Sequence, residues 1–337
     1  LDARNGHRVW YFQTVHHGLW DYDLPAAPVL GTVNVDGGRR DIVAVPAKTG
    51  FLFVFDRTNG KPIWPIQERS VPASDVPGEA AAQSQPFPSL PAPFARQGFS
   101  FNDLIEFTPE IKARALETIK DYRAGPLFTP PSVGGTIVMP GAIGGAGWGG
   151  GAFDPLSGTI FIKATNQPAL YKIIQPVRSD SLNADYTADL SAQGLRVVIP
   201  SSDTSQRVPP LPIIKPPYGT LVAIDLNTGA TKWSVTLGDT PGIRNHPLLK
   251  NLDLPAVGVA GAPGPIVTAG GLIFVSGGGS ALYAIDSQTG ATLWSADLGQ
   301  NAYSVPMTYR TKAGKQFVVI ATGAATGAKL VAFAASR

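Results

Sequence analysis

The sequence predicts an all-β fold, a β-propeller of four-stranded blades with one inserted helix. Three observations predict it. Gly and Pro number 38 and 31 among 337 residues, punctuation that suits many short strands joined by turns and disfavours a helical protein. Four segments share the spacing Asp, three residues, Gly, three residues, Trp: Asp2–Gly6–Trp10, Asp56–Gly60–Trp64, Asp225–Gly229–Trp233 and Asp286–Gly290–Trp294. Apolar or alternating runs, "FLFVF", "LVAI" and "LYAI", lead into three of them.

The repeating unit reads as a hairpin. A strand ends at Asp, whose side chain caps a turn; Gly supplies the positive φ; the next strand carries Trp. Trp10, Trp64, Trp233 and Trp294 therefore read as packing residues that bridge neighbouring units. Asp154 and Gly158 form a fifth candidate copy, with Ile162 where Trp would fall. Successive Asp positions lie 54, 98, 71 and 61 residues apart, which suits propeller blades with insertions. The insertions are expected at about 65–125 and 173–217. In the first, Ser70 to Gly98 is rich in Pro and Ala and reads as an irregular loop. A helix follows, with Thr108 as N-cap, Pro109 in the first turn, Ile111, Ala115, Ile119 and Tyr122 on one face, and Gly125-Pro126 as the stop. The second is another Pro-rich excursion, and both are expected to lie outside the blades. About five blade-equivalents result, within a single partial propeller over 1–337. The polar opening "LDARNGHRVW" reads as the middle of a repeat rather than a signal peptide, so the chain is expected to be part of a larger propeller.

Bulk properties exclude several classes. Net charge is +3, with Lys and Arg scattered rather than gathered in a stripe, which argues against a nucleic-acid partner. With no cysteine there are no disulfides or thiolate metal sites. No apolar run is long enough for a membrane-spanning helix.

Several stretches resemble one family: "FQTVHHGLWDYDLPAAP", "VPAKTGFLFVFDRTNGKPIWPIQERSVP", "PSVGGTIVMPGAIGGAGWGGGAFDP", "TAGGLIFVSG" and "VPMTYRTKAGKQFVVIATG". They resemble the quinoprotein dehydrogenases, eight-bladed propellers with tryptophan-docking repeats that bind pyrroloquinoline quinone (PQQ) and Ca²⁺. The likeness is to the membrane-bound glucose and quinate dehydrogenase branch. It covers essentially the whole chain and corresponds to the C-terminal half or so of the family's propeller. The family's membrane anchor and first blades would precede it.

The resemblance implies oxidation of a sugar or cyclic polyol by hydride transfer to PQQ, with electrons passed to membrane ubiquinone. It also implies a periplasmic, membrane-associated location. It places the family's catalytic base, near the calcium, on Asp21, and the basic residue at the quinone carbonyls on Lys48. Asn166 falls at the quinone or calcium shell, and Trp148 at a pocket aromatic. Gly18 stands where the family pattern has an acidic residue, and "GAIGGAGW" is more glycine-rich than that pattern. The quinone-stacking tryptophan and main calcium ligands belong to the family's preceding half.

The chemistry suits these residues. Alcohol oxidation by a quinone needs a base for the hydroxyl proton and a cation for charge appearing on the quinone oxygen, and Ca²⁺ prefers carboxylate, amide and carbonyl oxygens. Plainer readings stand beside each assignment. Asp21 and Asn166 are ordinary turn residues by type, and Lys48 before Thr49-Gly50 would ordinarily be solvated. Asp23 faces the same way as Asp21 by strand alternation and reads as structural. His16 and His17 are adjacent, so in a strand they point to opposite faces and cannot clasp one metal. Trp20 could be pocket wall or core. Gly277-Gly278-Gly279 lacks the Lys-Ser/Thr of a phosphate loop. Against the enzyme stand a non-catalytic propeller scaffold and an inactive fragment. The pairing of "LWDYD" with "PAKTG" is the feature that a scaffold does not need.

Overall fold

Every Asp–x–x–x–Gly segment closes the same turn in the computed structural model of the chain, which describes residues 1–176, 185–189, 195–197 and 208–334. Much of the second expected insertion lies outside the described residues. At Asp2, Asp56, Asp225 and Asp286 the carboxylate accepts the backbone N–H two residues on, at 2.8–2.9 Å. The Gly N–H donates back to the Asp carbonyl, and the five turn glycines have φ between +69° and +77°.

The indole of each repeat covers the turn glycine of the next. A Cβ built on Gly60 would meet the Trp10 ring at 2.6 Å, on Gly229 the Trp64 ring at 3.1 Å, and on Gly290 the Trp233 ring at 3.0 Å. The Nε1–H of Trp10 donates to the Arg57 carbonyl at 2.9 Å and that of Trp233 to the Ser287 carbonyl at 3.2 Å, in both cases the residue after the turn Asp. Trp294 packs edge-on against Phe333, with ring centroids 5.1 Å apart.

These joints connect four antiparallel, blade-like sheets. The first contains Val29–Val35, Gly38–Pro46 and Leu52–Asp56, its outer strand reduced to a bridge between Phe55 and Pro62. The second orders Gly151–Asp154, Thr159–Thr165, Gly219–Asp225 and Ala230–Thr236 from inside out. The third orders Ile266–Val267, Leu272–Val275, Ala281–Asp286 and Thr292–Asp297 likewise. The fourth has three strands among the described residues, Met307–Arg310, Gln316–Thr322 and Lys329–Ala334. Alternation along Thr159–Thr165 explains the stacking, since successive side chains leave opposite faces. Ile160, Ile162 and Ala164 pack with Ile42, Leu52 and Val54 of the first sheet, while Phe161 packs with Ile273 and Val275 of the third.

Three sequence expectations are corrected. Asp154–Gly158 is no fifth blade copy: it joins the first two strands of the sheet whose last two strands meet at Asp225. Its Trp is missing because Ile162 belongs to the second strand of that sheet and faces the first sheet's core, with no joint to make. The four sheets and the incomplete Asp2–Trp10 unit make up the five blade-equivalents expected, with a different membership. Residues 70–98 are not wholly irregular either, because Ser84–Pro88 pairs antiparallel with Ile66–Ser70. Pro86 and Pro88 are two apart, so both missing N–H groups fall on the same, unpaired side of the ribbon. The helix forms over Pro109–Ile119, with Thr108 capping Ile111 N–H at 3.2 Å and Ile111, Ala115 and Ile119 buried, but it ends before Tyr122 and short of the expected stop at Gly125-Pro126, because Arg123 turns away to bridge Thr136. It packs with Leu211, Ile213 and Ile214, so the described parts of the two insertions share one core.

The glycine joints separate two energetic effects. Gly290→Ala adds a Cβ at positive φ and forces it against Trp233; we expect a loss of about 2–4 kcal/mol, from backbone strain plus overpacking. Gly299→Ala, at φ +69° with nothing within 4 Å of its Cβ, should lose only the backbone share, about 1–2 kcal/mol. Urea unfolding of both variants checks this, and equal losses would contradict the joint.

Candidate active site

Strand direction gathers the candidate residues at one end of the sheets. The Asp–Gly turns close the opposite end. The end that remains carries the connections from second to third strand and those entering each first strand: Ala47–Phe51, Asn166–Tyr218 and Ser276–Ser280 of the former, the approaches to Gly151 and Ile266 of the latter.

The "PAKTG" stretch is the first of these connections. Gly50, at φ +84°, closes the turn by donating to the Ala47 carbonyl at 3.0 Å. Lys48 stands in this turn, yet its side chain is only 9% exposed. The "GAIGGAGW" loop covers it, with Gly144 so close that a Cβ would overlap the lysine stem. The Gly145 N–H donates to the Lys48 carbonyl at 2.7 Å, and the Gly145 carbonyl accepts from Thr165 N–H at 2.8 Å. Three segments are thereby laid side by side, those of Lys48, of the loop preceding Trp148, and of the strand end preceding Asn166.

Asp21 reaches Lys48 from the opening loop. Its neighbours anchor that loop from below. Trp20 and Tyr22 are both buried; the Trp20 indole N–H donates to the Thr129 carbonyl at 2.8 Å and the Tyr22 hydroxyl to the Pro140 carbonyl at 2.6 Å. The Tyr171 hydroxyl donates to the Trp20 carbonyl at 3.2 Å. Between two anchored aromatics, Asp21 adopts φ +60°, a left-handed conformation that Asp tolerates better than most residues. Its carboxylate accepts from Lys48 Nζ at 3.0 Å, and Asp23 accepts from the same ammonium at 2.5 Å. Both carboxylates stay open to solvent, at 63% and 57% exposure, beside a hollow of about 450 Å³ lined by Phe12, Thr14 and Gly18.

The electrostatics follow from this arrangement. Burial pushes the Lys48 ammonium down, but the hydrogen bonds and charges of Asp23 and Asp21 overrule it and hold its pKa above the ordinary lysine value. Burial, with the Asp21 charge added, pushes the Tyr171 hydroxyl up to about 12, so it stays a donor to the loop.

The structure brings Asp21 and Lys48 together. Asp23 joins them, a site neighbour that sequence reading took as structural; its signal was the two-residue spacing from Asp21, although a left-handed bend rather than a strand aligns the pair. Asn166 is buried and makes neither contact. Its Oδ1 accepts from Arg96 N–H at 3.0 Å and its Nδ2 donates to the Pro217 carbonyl at 3.0 Å, so it ties two connections together. The Trp148 indole is 80% exposed, its flanking glycines packed against the segment 262–264. Trp20 is core. His16 and His17 bond separate carboxylates, Glu68 at 2.9 Å and Glu79 at 2.7 Å, in a bend and not in a strand.

Lys163 went unnoticed in the sequence, although a lysine within a buried strand is a signal. Its ammonium, 3% exposed as a residue, donates to Thr165 Oγ1 at 2.6 Å and to the Gly261 carbonyl, with no carboxylate paired to it among the described residues. Burial alone pushes its pKa down to about 7.

Comparison with known proteins agrees with this geometry. A PQQ family model described as "Glucose/ethanol/alcohol dehydrogenase, beta-propeller domain" matches residues 1–318. The quinate/shikimate dehydrogenase (quinone) of Acinetobacter baylyi is 31% identical over 96% of the chain and 41% of its own length. The quinoprotein glucose dehydrogenase of Escherichia coli is 32% identical over 96% of the chain and 41% of its own. The chain thus spans about two fifths of these relatives. The quinohemoprotein alcohol dehydrogenase of Comamonas testosteroni shares the fold, with a TM-score of 0.57 at 20% identity, over 96% of this chain and 38% of that one.

The two buried lysines give opposite pH slopes. Lys163 is depressed in the folded state, so between about pH 7 and 10.5 the unfolded chain binds the extra proton and stability rises with pH. Lys48 is raised, so its contribution is present below pH 10.5 and is lost as pH climbs through its folded value. Denaturant unfolding across pH 6–12 should lose the rise in Lys163→Met and part of the high-pH fall in Lys48→Met; unchanged slopes would contradict the assignments.

Proposed function

This chain belongs to the PQQ-dependent glucose/ethanol/alcohol dehydrogenase β-propeller family, and on that premise we propose that it carries the base-bearing wall of a dehydrogenase site for a sugar or cyclic polyol. The buried Lys48 ammonium shared by two open carboxylates is the observation that carries this reading. A turn lysine with no task would be solvated.

Asp21 is the base. Lys48 occupies one of its oxygens, Oδ2, and leaves Oδ1 for a substrate hydroxyl proton entering from solvent. The lysine orients the carboxylate through this contact and holds its own positive charge at the site wall. Asp23 shares that lysine and prevents Asp21 from capturing it outright. The anchored Trp20 and Tyr22 fix the direction in which the base points.

The donor set fits the family's cofactors. PQQ, when bound, supplies the two-electron acceptor, and Ca²⁺ the Lewis acid beside it. Lys48 would face the quinone oxygens, and the carboxylate oxygens of Asp21 are the hard donors that calcium prefers. Among the described residues no group of three or more metal-binding side chains exists, so further calcium ligands must be recruited from other oxygens. Asn166 would shape the cofactor pocket through the connections it ties, and Trp148 would add an aromatic face. Electrons would pass to membrane ubiquinone, with the enzyme in the periplasm and membrane-attached through a segment other than this one.

PQQ and Ca²⁺ titration of the purified 337-residue chain tests the reading. Saturable quinone uptake should weaken at least about tenfold in Lys48→Ala, roughly the 1.5–3 kcal/mol of a charge-assisted contact. Dye reduction with glucose or quinate should fall about 10²–10⁴-fold in Asp21→Asn, the usual share of a general base. Full turnover in Asp21→Asn would exclude it as the base.

A further inference from the structure

A second hollow lies away from Asp21, between the outer connections of the second and third sheets. It is about 500 Å³, within the range of small-molecule sites. Asn166, Gln167, Ile213, Ile214, Asp239 and Tyr283 are among the residues that line it.

Its polar lining is neutral in effect. Asp239 is already neutralised: its carboxylate pairs with Arg244 and accepts the backbone N–H of Thr240 at 3.0 Å and of Val257 at 3.2 Å. No Lys, Arg or His is among the described residues that line the space. The groups left to a ligand are uncharged. The Gln167 amide and Ser280 hydroxyl make no side-chain hydrogen bond among the described residues, and the Asn301 amide nitrogen donates to Tyr303 at 3.1 Å, which leaves its carbonyl. Burial and the Asp239 charge push the Tyr283 hydroxyl's pKa up, so it stays protonated and can donate. Ile213, Ile214 and Pro168 add apolar surfaces for the C–H face of a ring.

We infer that this hollow binds a neutral polyhydroxylated ring, a sugar or cyclitol, and excludes a cyclic hydroxy acid. Amides and hydroxyls match ring hydroxyls in both directions, as donors and acceptors. A carboxylate brought into the same space would be stripped of water with no cation among the described lining residues to receive it. The inference rests on the dehydrogenase reading only for its link to turnover. The binding it describes needs no cofactor.

The test is equilibrium binding to the PQQ-free 337-residue chain, followed by saturation-transfer NMR with D-glucose, myo-inositol and quinate at up to ~100 mM, enough to register millimolar Kd values. Glucose or inositol should bind saturably and quinate should not. The Tyr283→Phe/Asn301→Ala pair should weaken binding about tenfold or more, the loss of one or two ligand hydrogen bonds. Should that pair misfold by circular dichroism, Gln167→Ala and Ser280→Ala should each weaken it severalfold. Quinate binding as tightly as glucose overturns the neutral-ring assignment. No saturable binding, or binding lost in Asp21→Asn and kept in the cavity variants, overturns the site itself. Absence of PQQ uptake with sugar binding intact would instead count against the dehydrogenase reading alone.

Discussion

The indole seated on a turn glycine is the contact on which the rest of this chain depends. It does three things at once. Glycine supplies a φ near +75° and the space that a Cβ would fill. The indole buries a large apolar ring between two sheets, and its N–H satisfies a carbonyl of the next turn. Because the Trp64 and Trp233 joints tie the outer edge of one sheet to the turn of the following one, those sheets must stack face against face. Strands such as Thr159–Thr165 are then buried on both sides, and their sequence loses its polar alternation.

Locking one end of the sheets frees the other. The Asp–Gly turns are nearly identical in every repeat, whereas the opposite connections range from the tight Lys48 turn to the long passage after Asn166. Function has collected there. The Lys48 turn, the glycine-rich loop and the end of the second sheet's inner hairpin touch through backbone hydrogen bonds, which need no particular side chains. Glycine at 144 and 145 is what allows so close an approach. Asp21 arrives from a different part of the chain, held by buried aromatics whose hydrogen bonds go to carbonyls more than a hundred residues away in sequence. The exposed carboxylate proposed as the base thus rests on a rigid footing, the condition for orienting a proton acceptor.

The two hollows divide the chemistry between them. One lies beside charged groups, the carboxylates and ammonium of the Asp21–Lys48 cluster; the other presents uncharged groups and apolar walls. Asn166 lines the second, and its backbone neighbour Thr165 joins the first through Gly145. Part of the second hollow's lining, Pro212–Ile214, comes from the second insertion, whose Ile213 and Ile214 also pack in the core around the helix Pro109–Ile119. Insertions of this kind can change a binding wall without disturbing the joints that hold the sheets.

Local chemistry was legible in the sequence. The Asp–x–x–x–Gly turn follows from an Asx cap and a positive φ, and the helix follows from Thr108, Pro109 and a regularly spaced apolar face, because both depend on residues within a few positions of each other. Recurrence of Trp at fixed spacing announced the joints, and the "LWDYD" and "PAKTG" stretches suggested that Asp21 and Lys48 belong together. What spacing could not supply was which strand a turn joins, so Asp154 read as a fifth copy when it closes an inner hairpin. Nor could it show that Asp23 shares the lysine, that Trp20 is core, or that Lys163 lies buried with no carboxylate paired to it among the described residues. Those outcomes depend on segments brought together from distant parts of the chain, and on how much water they exclude. A side chain's burial, its charge partners and the left-handed bend at Asp21 are properties of that packing, and only the tertiary structure decided them.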